Sequence, residues 1–157
     1  IYAAPAAARV VRKDYDYAFE EEKYRGAPDI RLHEIDVARP LEIAGERIVP
    51  VSGHHSERFE VTGYRIGRMA YLTDFKTIAD AEVGKLIGVE LLVVNALRFR
   101  PHPSHFNVEE ALALIARVAP RRALITHVSH EIGRHAATTA LLPRGVELAY
   151  DGLEIII

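Results

Sequence analysis

The chain is predicted to fold as a mixed α/β sheet, and three observations carry that expectation. Its first half holds short apolar runs in pairs, joined by Gly-containing turns, which is the pattern of antiparallel hairpins. Its second half alternates buried apolar runs with amphipathic segments, which implies parallel strands, right-handed crossovers and helices on at least one face. Its 157 residues, 49% hydrophobic and 27% charged, fit one domain (1–157) and are too apolar for a disordered chain.

The elements follow in order. Ala3 to Ala8 reads as a short Ala-rich start, and residues 14–30 as a charged, aromatic surface segment ending in a Gly-Ala-Pro turn. Ile30, Leu32 and Glu34-Ile35 give a weak first strand. Leu41 to Ile43 and Arg47 to Val51 flank Ala44-Gly45-Glu46 as a hairpin, with Gly53-His54-His55 as the loop beyond. Gly63 to Ile66 and Met69 to Thr73 flank Gly67-Arg68 as a second hairpin. Asp80 to Ile87 is a short helix. Leu91 to Val94 is a continuous apolar run, expected to be a strand buried on both faces. Asn107 and Glu110 form a capping-box pair, with Phe106 and Ala111 as its hydrophobic staple. Val108, Ala111, Leu112, Ile115 and Val118 then recur at helical spacing until Pro120. Ala123 to Thr126 is another buried strand, and Glu131 to Leu142 a second helix stopped by Pro143. Val146 to Tyr150 and Leu153 to Ile157 flank Asp151-Gly152, which predicts a closing hairpin.

Composition removes several function classes. Lys+Arg 20 against Asp+Glu 22 leaves a formal charge of −2, without the basic surplus of a general nucleic-acid binder. The absence of cysteine excludes disulfides, thiolate metal sites and cysteine nucleophiles, and fits a reducing, cytoplasmic setting. The apolar stretches fall short of the roughly 18 residues of a membrane span. Ile1-Tyr2-Ala3 carries no basic n-region of a signal peptide. Histidine is the unusual residue: there are eight, six of them in three close pairs.

Those pairs sit where a site is expected. In open α/β sheets, residues past the carboxyl ends of strands converge on one edge. Thr73 runs into Asp74 and Thr126 into His127, each after an apolar strand. The run Leu91 to Val94 leads into the loop from Arg98 through His102 to His105, and Arg47 to Val51 leads into His54 and His55. Four connections could thus bring His55, Asp74, His105 and His127 together. Histidine with carboxylate suits Zn²⁺, Mn²⁺ or Fe, and an aspartate can bridge two ions. Each piece has a plainer reading beside it. Asp74 also fits a helix cap, His54-His55 a loop, and His102/His105 a solvent-facing pair. His127/His130 fits a first helical turn, one of the two being structural. His33 and His135 read as surface residues.

Taken together, Thr73-Asp74, Ser104-His105-Phe106-Asn107, Thr126-His127-Val128-Ser129-His130 and Ala149-Tyr150-Asp151-Gly152-Leu153-Glu154-Ile155 resemble the metallo-β-lactamase superfamily. The branch they most resemble is the phosphoribosyl 1,2-cyclic phosphodiesterase-like hydrolases. The resemblance implies an αββα sandwich, with this chain as its C-terminal part. It also implies two divalent ions (Zn or Mn, or Fe) and a metal-activated hydroxide that attacks phosphorus. In that scheme His55 binds the first ion, with His54 as the alternative. Asp74 bridges both ions and His127 binds the second. His105 is a catalytic non-ligand that contacts the scissile phosphate or protonates the leaving group, and Arg98 holds phosphate. The family's His-x-His-x-Asp-His motif is not found in the sequence. The domain is therefore expected to be N-terminally incomplete, with the remaining ligands upstream, so these residues alone should bind metal weakly and hydrolyse little. The expected partner is a small phosphodiester, with neither membrane nor nucleic acid involved and a homodimer open. Two rival readings remain. One is a non-catalytic half-fold or interaction module; the other is an RNA-processing nuclease of the same superfamily, which the near-neutral charge disfavours.

Overall fold

The computed structural model describes all of residues 1–157. The chain opens with β1 (Tyr2–Ala3) and α1 (Pro5–Asp14), and β1 pairs in parallel with β2 (His33–Glu34) as a small separate sheet. Helix α1 was not expected from the Ala-rich start. Its first position is Pro5, its body is mostly Ala, Val and Arg, and Arg12 and Lys13 close it at the favourable end of the dipole.

The main sheet has seven strands in sequence order: β3 (Leu41–Ile43), β4 (Glu46–Ser56), β5 (Phe59–Ile66), β6 (Met69–Leu72), β7 (Leu91–Asn95), β8 (Arg122–Thr126) and β9 (Val146–Leu148). Strands β3 to β6 pair antiparallel, and β6 to β9 pair parallel, as the two halves of the sequence predict. Ala44 and Gly45 both take positive φ (53° and 83°) in the first turn, matching the twist a two-residue hairpin needs. Strand β4 does not end at Val51. It continues through Ser56 against Glu60, Val61 and Thr62 of β5, so His54 and His55 lie on a strand and not in a loop. The polar residues Glu60 and Thr62 hide the start of β5 from an apolar-run reading.

Helix α2 (Asp80–Gly84) and helix α3 (Val108–Val118) lie on one face of the sheet. There Leu72, Leu92, Val94 and Ile125 pack with Val83, Leu86, Ala111, Leu114 and Ile115. Every residue of β7 is buried, as its unbroken apolar run implies. The capping box is present: Asn107 Oδ1 accepts from Glu110 N–H and Glu110 Oε2 from Asn107 N–H, each at 2.8 Å. A cap of this kind is worth about 1 kcal/mol, and it fixes where α3 begins, directly after His105 and Phe106.

Two expectations fail at the C-terminal end. The predicted helix from Glu131 to Leu142 is broken at Gly133 (φ 97°) into a 3-10 turn, His130–Ile132, and a short α4 (His135–Thr139). The closing hairpin does not form either. The chain turns at Asp151-Gly152, but Leu153 and Ile155 lie against Leu91, Val93 and Leu124 on the second face of the sheet. Covering that apolar face removes more hydrocarbon from water than pairing beside the three-residue edge strand β9. No helix is long and apolar enough to cross a membrane.

Phe75 joins the antiparallel and parallel halves. Its ring lies over Gly53 and Gly63, where a side chain has no room. A Cβ on Gly53 would fall 2.2 Å from the ring and 2.8 Å from the Thr77 carbonyl oxygen. Gly53→Ala is therefore expected to lower stability by about 1–3 kcal/mol through overpacking, read as a lower denaturation midpoint. An unchanged midpoint would mean that the Phe75 ring can yield.

Candidate metal centre

Parallel strands deliver their carboxyl ends to one edge. Asp74 follows β6 and His127 follows β8, and both take left-handed backbone conformations (φ 64° and 56°). The other non-glycine residues with positive φ are Ala44 in a hairpin turn and Ala119 at a helix C-cap. Such conformations cost on the order of 1–3 kcal/mol and persist where the surroundings impose them, commonly at functional sites. Aspartate and histidine tolerate them better than branched residues do.

Four of the predicted residues meet. His55, Asp74 and His105 each present a ligand-type atom, all within 4.8 Å of one another. Asp74 Oδ1 lies 3.2 Å from His105 Nε2 and 3.3 Å from His127 Nε2, and those two nitrogens are 3.1 Å apart. His55 reaches the cluster from a bulge in β4, where the register shifts between His54 and Ser56. Bulges re-aim side chains in this way beside active sites. His54 takes no part in the cluster. It lines a cavity of about 720 Å³ together with Tyr2, Pro5, Tyr64, Thr73 and Asp74 itself.

Protonation states follow from the partners. His55 Nδ1 lies 2.7 Å from the Ser104 carbonyl oxygen, which can only accept, so Nδ1 carries the hydrogen and Nε2 keeps a free lone pair. His105 Nδ1 lies 3.1 Å from Ser104 Oγ and 3.2 Å from His102 Nδ1. Burial pushes the His105 imidazole below the usual histidine range, with its hydrogen bond to Asp74 opposing and His55, His127 and His102 adding to the depression. His102 is likewise lowered, by burial first and then by Arg98 and Lys76. Neutral imidazoles are the form that binds metal. Histidines around a carboxylate are a donor set that fits a divalent ion of the Zn²⁺, Mn²⁺ or Fe type.

Arg98, expected to hold phosphate, is paired within the chain. One terminal nitrogen pairs with Glu131, the other donates to the Pro101 carbonyl oxygen at 3.1 Å, and Arg100 also pairs with Glu131. Hydrogen bonding from Arg98 is what holds the Glu131 carboxyl below its usual range. His130 is exposed on the 3-10 turn, His33 stacks on Tyr2, and the ring of His135 meets the Leu148 carbonyl oxygen. Sequence reasoning missed Ser104 and Asn95. The only sign of Asn95 in the sequence is that a polar residue closes the apolar run Leu91 to Val94; its complete burial is seen only in the structure.

A mixed sheet with a histidine–aspartate cluster on the carboxyl edge of its parallel strands has the donor set of a metal-binding protein. Residues 1–128 match the model of the beta-lactamase superfamily domain, and the chain belongs to that family, with the metallo-β-lactamase fold. It is 35% identical over 158 aligned residues to an octanoyltransferase of Porphyromonas gingivalis, covering 100% of this chain and 32% of that one. It superposes on the crystal structure of a diphosphatase from the PhnP family with a TM-score of 0.86 and 34% identity, covering 97% of this chain and 55% of that one. Zn²⁺-bound PqqB from Methylobacterium extorquens has the same fold, with a TM-score of 0.72 and 16% identity, covering 99% of this chain and 64% of that one. The chain thus spans about a third of the octanoyltransferase and about half of the diphosphatase.

Proposed function

We propose that the chain is the part of a metal-dependent phosphodiesterase that carries one side of its two-metal site. The observation behind this reading is the convergence of Asp74 Oδ1, His105 Nε2 and His127 Nε2 within 3.1–3.3 Å, with His55 beside them. Likeness to a PhnP-family diphosphatase supports a phosphate ester substrate. His55 would hold one ion, His127 the other, and Asp74 both. Divalent ions bound there supply Lewis-acid polarisation of a phosphoryl oxygen and lower the pKa of water for attack on phosphorus.

The remaining work falls to the protein. Ser104 and His102 hold the Nδ1 edge of the His105 ring, so Nε2, which faces Asp74 and His127, is the atom that would pass a proton to a leaving oxygen when the ring is protonated. General acid catalysis of this kind contributes about 10²–10⁴-fold. The 720 Å³ cavity next to Asp74 is of the size that takes a small molecule, which favours a small cyclic or nucleotide-like diester. Three ligands shared between two ions leave each short of a closed shell, so a His-x-His-x-Asp-His segment outside these residues is proposed to complete the site. Such a protein would work in the cytoplasm on a small substrate, as a monomer or a homodimer.

The test is metal analysis with a chromogenic phosphodiester, on these residues and on a longer natural chain containing them. The longer chain should hold two ions, lose its activity to a chelator and regain it with Zn²⁺ or Mn²⁺. The 157 residues alone should bind weakly and turn over little. Hydrolysis that survives complete chelation, or two tightly bound ions on the 157-residue chain, would refute this reading.

A further inference from the structure

Asn95 ends β7 with its side chain fully buried among apolar neighbours, and both of its amide atoms are committed to one residue. Its Oδ1 accepts from Phe75 N–H at 2.8 Å, and its Nδ2 donates to the Phe75 carbonyl oxygen at 2.9 Å. Phe75 directly follows Asp74. The same carbonyl oxygen accepts from Phe106 N–H at 2.7 Å, and Phe106 directly follows His105. On the other side, the Phe75 ring is seated on Gly53 and Gly63, and the next amide, Lys76 N–H, donates to the His54 carbonyl oxygen at 2.6 Å, one residue from His55. Asn95 itself pairs with Thr126, the residue before His127. All four cluster residues are thus adjacent in sequence to one buried knot of hydrogen bonds, with the Asn95 amide at its centre.

We propose that Asn95 is a positioning residue for the site: by clamping the Phe75 backbone it holds Asp74 in its left-handed conformation and sets the spacing between Asp74 and His105. The proposal rests on Asp74 and His105 being site residues, as argued above. Its physical basis is that a buried amide has no water to replace a lost partner. With Asn95 removed, Phe75 N–H loses its partner and the Phe75 carbonyl oxygen keeps only Phe106 N–H, so the residue after Asp74 is held on one side instead of two. A side chain that only filled space would be indifferent to the two hydrogen-bonding atoms.

The experiment compares wild type, Asn95→Leu, Asn95→Ala and a core control, Leu114→Ala, which removes packing under α3 without touching the knot. Co²⁺ is titrated into each and read by its visible absorption, and the imidazole ¹⁵N resonances of His105 are recorded without metal. Both Asn95 variants are expected to bind Co²⁺ roughly 10–100-fold more weakly, the range seen when groups that orient ligands are lost. They should also shift the His105 resonances, while Leu114→Ala lowers the melting temperature and changes neither readout. If Asn95→Leu does not fold, Asn95→Ala carries the test, because the smaller side chain can admit water to Phe75. Folded Asn95 variants with wild-type His105 resonances would overturn the proposal, as would equal shifts in Leu114→Ala. The Co²⁺ titration is made on the longer natural chain; if its wild type binds no Co²⁺, it is the metal reading that fails, and the His105 resonances still decide the positioning role.

Discussion

Asp74→Ala is expected to abolish metal binding and hydrolysis together in the protein carrying its full ligand set. Groups that merely orient ligands are worth roughly 10–100-fold in metal affinity, so a carboxylate shared by both ions should exceed about 100-fold. Two physical effects add in this variant. The carboxylate is lost from a cluster whose other members are imidazoles, and alanine must adopt the left-handed conformation (φ 64°) that aspartate tolerates more readily. Asp74→Asn separates them. Asparagine accepts the same backbone and keeps the shape, so it should fold with wild-type stability and still lose the ions. Elemental analysis and a thermal melt on both variants make the measurement. Metal retained in folded Asp74→Asn would show that the carboxylate is not a ligand.

His105→Ala should behave differently: ions retained, turnover reduced by about 10²–10⁴-fold, the usual worth of a positioned general acid. The geometry makes this the sharper of the two tests. His105 Nε2 is as near Asp74 Oδ1, at 3.2 Å, as His127 Nε2 is at 3.3 Å, so distance alone does not separate a ligand from a proton donor. Loss of the ions along with activity in His105→Ala would make His105 a ligand and overturn the division of roles. The companion His127→Ala should lose metal in either case.

How far the site was legible in the sequence can be argued from its members. Asp74 and His127 were readable because each stands just past an apolar strand, and parallel strands in one sheet end on the same edge. His105 was readable because the capping box at Asn107 and Glu110 fixes the start of α3 and so the position of the preceding loop. The choice between His54 and His55 was not readable. Neighbouring strand residues point to opposite faces, and which of them meets the cluster depends on the bulge that β5 imposes on β4. The pairing of Arg98 with Glu131 was not readable, because the two lie 33 residues apart along the chain.

The sequence by itself determined the class of fold, the order of the strands and the donor chemistry. Periodicity, turn residues and the absence of cysteine are local properties that leave histidine and aspartate as the available ligands. The tertiary structure alone decided three things: that β4 runs on into the site, that Arg98 pairs with Glu131, and that Asn95 hydrogen-bonds Phe75 beside Asp74. Each depends on a partner 20 or more residues away or on the register of a neighbouring strand, and burial gives the Asn95–Phe75 contact its strength by leaving no water to compete.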